Sequence, residues 1–173
     1  METVVLVTYA TRYGSTEETA LVVADALRTS GLAVESQPIR CVHSLERYCA
    51  VVLGAPLYMT KFHKDARRFL SANRAALMKI PIALFVPGPV QKDEKDWTGA
   101  RTQMEKELAK FPWLSPVARE IVGGRFDPTK LGFPFNLIPA LRNKIPAGDV
   151  RDWVAIRAWA GNVASTLQPV LQR

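Results

Sequence analysis

The residues best suited to chemistry lie in one short turn near the start of the chain. An apolar run, VVLV at residues 4–7, leads through Tyr9 to Thr11, Arg12, Tyr13, Gly14, Ser15 and Thr16, and a helix start follows at once. Thr11, Ser15 and Thr16 offer hydroxyl donors, Arg12 offers positive charge, and Gly14 allows close approach or a positive φ. Backbone N–H groups in the first turn of a helix lack intrahelical acceptors. A buried strand that delivers the chain to such a turn makes a seat for a phosphate. The seat is neither of the dinucleotide type nor of the Walker type, because no G-x-G-x-x-G follows the strand and no Gly-Lys-Ser/Thr occurs.

The elements that must position this turn alternate in type. Residues 3–9 read as a buried strand and 33–38 as a shorter, more polar edge strand. Residues 50–55, 80–86 and 117–123 read as the third, fourth and fifth strands. Helices are expected at 15–28, 64–76, 97–110 and 150–171, the first from Ala20, Val23, Ala24 and Leu27 at helical spacing. Ser15 with Glu18 forms a capping-box pattern, Gly31 is a helix stop, and 44–48 reads as a brief turn or helix. Strands alternating with helices predict a doubly wound α/β fold with a parallel sheet, in a single domain over residues 1–173. Ligands of such sheets bind beyond the carboxyl ends of the strands. Three loops would meet there, at residues 11–16, 56–63 and 87–96. Residues 124–149 break the alternation with four prolines and a cluster of large apolar side chains.

The loops carry a resemblance. T-Y-A-T-R-Y-G-S-T-E after the first strand resembles the FMN-phosphate loop of flavodoxin-like proteins, and G-A-P-L-Y-M-T-K-F-H-K-D-A after the third resembles their second flavin loop. The pattern is most similar to the flavodoxin-domain family that includes the menaquinone-dependent protoporphyrinogen IX dehydrogenases. Their extra loop after the fifth strand corresponds to residues 124–149. The resemblance implies a flavodoxin-like five-stranded parallel sheet in the order 2-1-3-4-5, with FMN as cofactor. It implies that Thr11, Arg12, Tyr13, Gly14, Ser15 and Thr16 hold the FMN phosphate. Pro56, Leu57, Tyr58 and Met59 would line one side of the isoalloxazine, with the Tyr58 ring against it. Val86, Pro87, Gly88 and Pro89 would approach the other edge through backbone groups. No catalytic side chain is implied, because the flavin carries the redox chemistry. A lone His63 at a helix start reads as a cap.

Two functions fit that resemblance. One is an FMN-dependent dehydrogenase that oxidises an anionic porphyrinogen, protoporphyrinogen IX, and passes electrons to a quinone. The other is a flavodoxin-type electron carrier that docks to redox-partner proteins and has no small substrate of its own.

Composition narrows the surroundings. The chain has 173 residues, 48% of them hydrophobic, enough for a substantial core. Its 23 basic and 16 acidic residues give a net charge of +7, which favours anionic partners. The basic groups are scattered and match no nucleic-acid module, so nucleic acid is not expected. The apolar cluster within 131–145, accompanied by Lys130, Arg142 and Lys144, would either cover the core or touch a membrane surface. No apolar run reaches the roughly 20 residues of a membrane span, and no signal peptide is evident. Two cysteines, Cys41 and Cys49, and two histidines are too few for a disulfide framework or a zinc site. A cytoplasmic protein, peripheral at most to the inner face of the membrane, is the expectation.

Overall fold

A computed structural model describes residues 3–130, 137 and 147–171. Its centre is a five-stranded parallel sheet of β1 (Val4–Tyr9), β2 (Ala33–Pro38), β3 (Tyr48–Gly54), β6 (Ile82–Pro87) and β7 (Ala118–Val122), in the order β2-β1-β3-β6-β7. Counting only these long strands, that is the 2-1-3-4-5 order the resemblance implies. Two short antiparallel hairpins were not legible in the hydrophobic pattern. They are β4 (Leu57–Tyr58) with β5 (Lys61–Phe62), and β8 (Arg125–Phe126) with β9 (Gly148–Asp149).

Strand alternation divides the core between the two faces of the sheet. Val5, Val7 and Tyr9 of β1 pack with Ala20, Val23, Ala24 and Leu27 of α1 (Ser15–Thr29) and with Ile156, Ala160, Val163, Ala164 and Leu167 of α5 (Trp153–Leu171). Leu6, Val51, Leu53, Leu84 and Val86 face the other way. They meet α2 (Lys64–Ala72) through Ala66, Phe69 and Leu70, and α4 (Glu94–Leu108) through Met104 and Leu108. Both faces are covered, so the central strands are apolar throughout rather than alternating. The edge strand β2 is half-buried and polar, as expected. The last helix is also tied to the first by Gln168 Nε2, which donates to the Ser30 carbonyl at 2.9 Å.

Several boundaries differ from the sequence expectation, each for a local reason. The helix expected at 64–76 ends at Ala72, where Asn73 Nδ2 donates back to the Phe69 carbonyl at 3.0 Å; α3 (Arg74–Leu77) follows as a separate turn. The helix expected at 97 starts three residues earlier. Asp93 caps it by accepting from Lys95 N at 2.9 Å, and Glu94 and Asp96 add favourable charge to a first turn with no apolar residue to announce it. The stretch 44–48 is a turn that runs into β3, and the 3₁₀ turn Ile39–Cys41 lies ahead of it. The last helix begins at Trp153 rather than 150 because residues 148–149 pair as β9.

Candidate functional site

The carboxyl edge of the sheet gathers the three expected loops, and the first is shaped by α1. Gly14 is the N-cap residue of α1, with φ 88°, in the left-handed region that a side chain would resist. The capping box expected from Ser15 and Glu18 does not form. Ser15 is already the first helical residue, no side chain caps the helix, and Glu18 is drawn away to Arg151, which donates to it at 2.7 Å. Thr11 Oγ1 instead accepts from Gly14 N at 2.9 Å and closes the turn behind the helix. The first-turn N–H groups of α1 are therefore left for an external acceptor, and a long helix places the positive end of its dipole there. Thr16 is buried, and its methyl group lies where a Cβ on Gly54 would approach to 3.0 Å. Arg12 stacks over the Tyr13 ring at 5.3 Å.

The second loop is a tight hairpin. Met59 and Thr60 connect β4 to β5 with φ 46° and 71°, the two positive values a two-residue primed turn requires. Neither residue is glycine or asparagine, so the turn is strained, and Met59 stands 96% exposed at its tip. Three contacts hold the hairpin in place. Phe62 is buried, Phe62 N donates to the buried Glu107 carboxylate of α4 at 3.1 Å, and His63 N donates to the Pro56 carbonyl at 2.9 Å. Glu107 also pairs with Lys110. Sequence reasoning missed Glu107, although an acidic residue on the apolar side of an amphipathic helix is a signal that could have found it.

Tyr58 and His63 meet edge-on with ring centroids 5.6 Å apart. Burial raises the Tyr58 phenol above its ordinary pKa, with Arg12 opposing, so it stays a neutral donor. His63 Nδ1 accepts from Asp65 N at 3.2 Å and caps α2, as expected, which leaves the ring proton on Nε2. Burial lowers the His63 pKa despite the neighbouring Asp65, so the imidazole is neutral at physiological pH. A cleft of about 780 Å³ opens here, lined by Thr11, Arg12, Tyr58, Met59, His63 and cationic side chains from Arg40 to Arg67.

The third loop, Val86, Pro87, Gly88 and Pro89, lines neither this cleft nor the small hollow beside Tyr13 and Ser15. It is stitched to the end of β7 through backbone hydrogen bonds. Gly88 N donates to Val122 O at 2.9 Å and Gly124 N donates to Pro89 O at 2.8 Å. A Cβ on Gly124 would come within 2.6 Å of Gly88 O, and one on Gly123 within 2.3 Å of Val150 O. The stem β8–β9 therefore sits directly on the third loop.

The same stem reaches the first loop. Arg151, its side chain 3% exposed, bridges Asp149 at 2.6 Å and Glu18 at 2.7 Å and stacks on Trp153 at 4.5 Å. Arg125 reaches Glu18 at 3.3 Å. Hydrogen bonds from Arg151 hold both the Glu18 and Asp149 carboxyls below their ordinary pKa. The apolar segment 131–145 lies outside the described residues except for Leu137, which is exposed.

A family model for the flavodoxin domain matches residues 6–138. The chain is a member of the flavodoxin domain family. Solved structures agree on the fold. Rubredoxin oxygen:oxidoreductase from Desulfovibrio gigas superposes with a TM-score of 0.65 at 15% identity, over 98% of this chain and 37% of that one. This flavodoxin domain thus spans little more than a third of that oxidoreductase. A flavodoxin from the domain Archaea gives 0.58 at 14% identity over 95% and 99% of the two chains. Flavodoxin 1 from Bacillus cereus gives 0.53 at 19% identity over 83% and 99%. A comparison with curated protein sequences returns no significant match.

Flavodoxin domains carry FMN, and FMN is the cofactor here. The residues present fit it. A phosphate needs donors and positive potential, and the uncapped start of α1, the hydroxyl-rich turn and Arg12 supply both. The domain is an FMN-type redox protein. Among the described residues no helix is long and apolar enough to cross a membrane.

Proposed function

We propose that this flavodoxin domain is an FMN-dependent dehydrogenase that oxidises an anionic, largely apolar substrate, protoporphyrinogen IX, and delivers the electrons to a quinone. The observation that supports this reading best is the open cleft beside the phosphate turn, which combines aromatic and apolar groups (Tyr58, Met59, Phe62) with cationic ones. FMN, when bound, accepts a hydride equivalent from a donor and returns electrons to an acceptor.

The chain's own part is to bind and to orient. Thr11, Arg12, Tyr13, Gly14, Ser15 and Thr16 hold the phosphate. Pro56, Leu57, Tyr58 and Met59 would wall one side of the ring, and Val86, Pro87, Gly88 and Pro89 would bound its other edge with the backbone groups not already bonded to the end of β7. The apolar cluster within 131–145, accompanied by Lys130, Arg142 and Lys144, suits a lipophilic acceptor at a membrane surface.

The test is anaerobic mixing of FMN-loaded protein with protoporphyrinogen IX and a menaquinone analogue, followed by porphyrin absorbance. Quinone-dependent porphyrin formation above the rate without protein is expected. The second reading, an electron carrier, is favoured by the end-to-end likeness to flavodoxins such as the archaeal one. No porphyrin formation, together with reduction of a partner protein, would replace the first reading by the second.

A further inference from the structure

The cleft beside the phosphate turn does not end at the hairpin. A second hollow of about 630 Å³ lies between the 3₁₀ turn at Ile39–Cys41 and α2, and the two share Arg40 and Lys64 in their walls. Charge along the joined groove is one-sided. Lys61, Lys64 and Arg67 face the first part and Arg68 the second, and none of these four has an ion-pair partner among the described residues. The one carboxylate in the walls, Asp65, is already committed to Arg40 at 2.8 Å. The Arg67 Nε atom is in addition buried with no acceptor. A buried guanidinium N–H without a partner is rare in a folded protein. Tyr58 and Phe62 line the same cleft as these cations and the phosphate turn.

We infer that Lys61, Lys64 and Arg67 form a second anion site, separate from the phosphate turn, that takes the carboxylates of an organic di- or polycarboxylate whose apolar body lies across the Tyr58–Met59 hairpin. The site deepens the proposed function, on which it rests only in that its ligand sits beside the flavin. Arg67 contributes the planar fork that matches a carboxylate, and the two lysines, at the exposed rim, contribute charge. The geometry sets carboxylate recognition on α2 and the hairpin, and leaves the helix N-terminus to the cofactor.

The experiment titrates FMN-loaded protein with a dicarboxylic porphyrin and with its dimethyl ester, followed by quenching of porphyrin fluorescence. The diacid should bind about 10-fold tighter than the diester, and salt should weaken only the diacid, because its attraction is between partly exposed charges. The double variant K61Q/K64Q changes only exposed side chains. It should weaken the diacid about 10-fold, leave the diester unaffected, and melt at the wild-type temperature. R67K, which keeps the charge and loses the fork, should weaken the diacid as well. Equal affinity for diacid and diester, or a diacid affinity unchanged in K61Q/K64Q, overturns the site. Diacid binding with these dependences but without quinone-linked turnover supports the site and removes the dehydrogenase reading alone.

Discussion

Thr11 and Gly14 decide whether the phosphate turn keeps its shape. Replacing Thr11 by Ala removes the acceptor for Gly14 N, a hydrogen bond worth on the order of 1 kcal/mol, so FMN affinity should fall by roughly 5- to 10-fold. Thr11→Ser should restore it, and a flavin-fluorescence titration reads both. Gly54 is the other sensitive position. A Cβ there would sit 2.5 Å from the tip of the buried Phe85 ring and 3.0 Å from the Thr16 methyl. Gly54→Ala should lower stability by about 1–3 kcal/mol, as overpacking does, and should shift the cofactor turn through Thr16. A denaturation curve matching wild type would refute that packing argument. The turn's residues were readable because hydroxyls, glycine and arginine are informative by type. Its cap was not: Ser15 and Glu18 have the right spacing for a capping box, but Arg151, 133 residues away from Glu18, competes for the same carboxylate. A local pattern cannot show such a distant competitor.

The hairpin β4–β5 is the element on which the cleft depends, and α4, packed directly against it, holds it. Glu107→Ala would leave Phe62 N without its buried acceptor, at a cost of about 1–3 kcal/mol. Hydrogen exchange should show faster opening at residues 57–62 while β1 and β3 keep their protection; uniform protection would contradict the anchoring role. The five long strands were legible because parallel strands covered on both faces are apolar throughout. The hairpins were not, because two-residue strands carry no periodicity, and a primed turn built on Met59 and Thr60 lacks the usual Asn-Gly signal. The stem β8–β9 escaped for a related reason: its strands lie on either side of residues 127–147, and nothing local pairs Arg125 with Asp149.

At the scale of the molecule, ion pairs tie the stem to α1, and that linkage makes stability depend on pH. Glu18 and Asp149 titrate in the folded protein below their ordinary values of 4.5 and 3.8, chiefly through hydrogen bonds from Arg151. Carboxyls with depressed folded pKa values stabilise fully above the unfolded values, and the contribution is lost as pH falls through the folded ones. Wild type should therefore lose stability progressively below about pH 4.5, and Arg151→Met should be less stable at pH 7 with a flatter acid profile. Urea denaturation at a series of pH values measures both, and parallel profiles would show that the bridge contributes nothing. The seating of α5 along α1 has a different consequence, one for synthesis. Until α5 has left the ribosome, the first helix has the sheet on one side but lacks the helix that packs along it, so that half of the core closes late. Nascent chains stalled at residue 150 should accordingly be cut by protease within the first helix more readily than chains in which α5 is fully exposed.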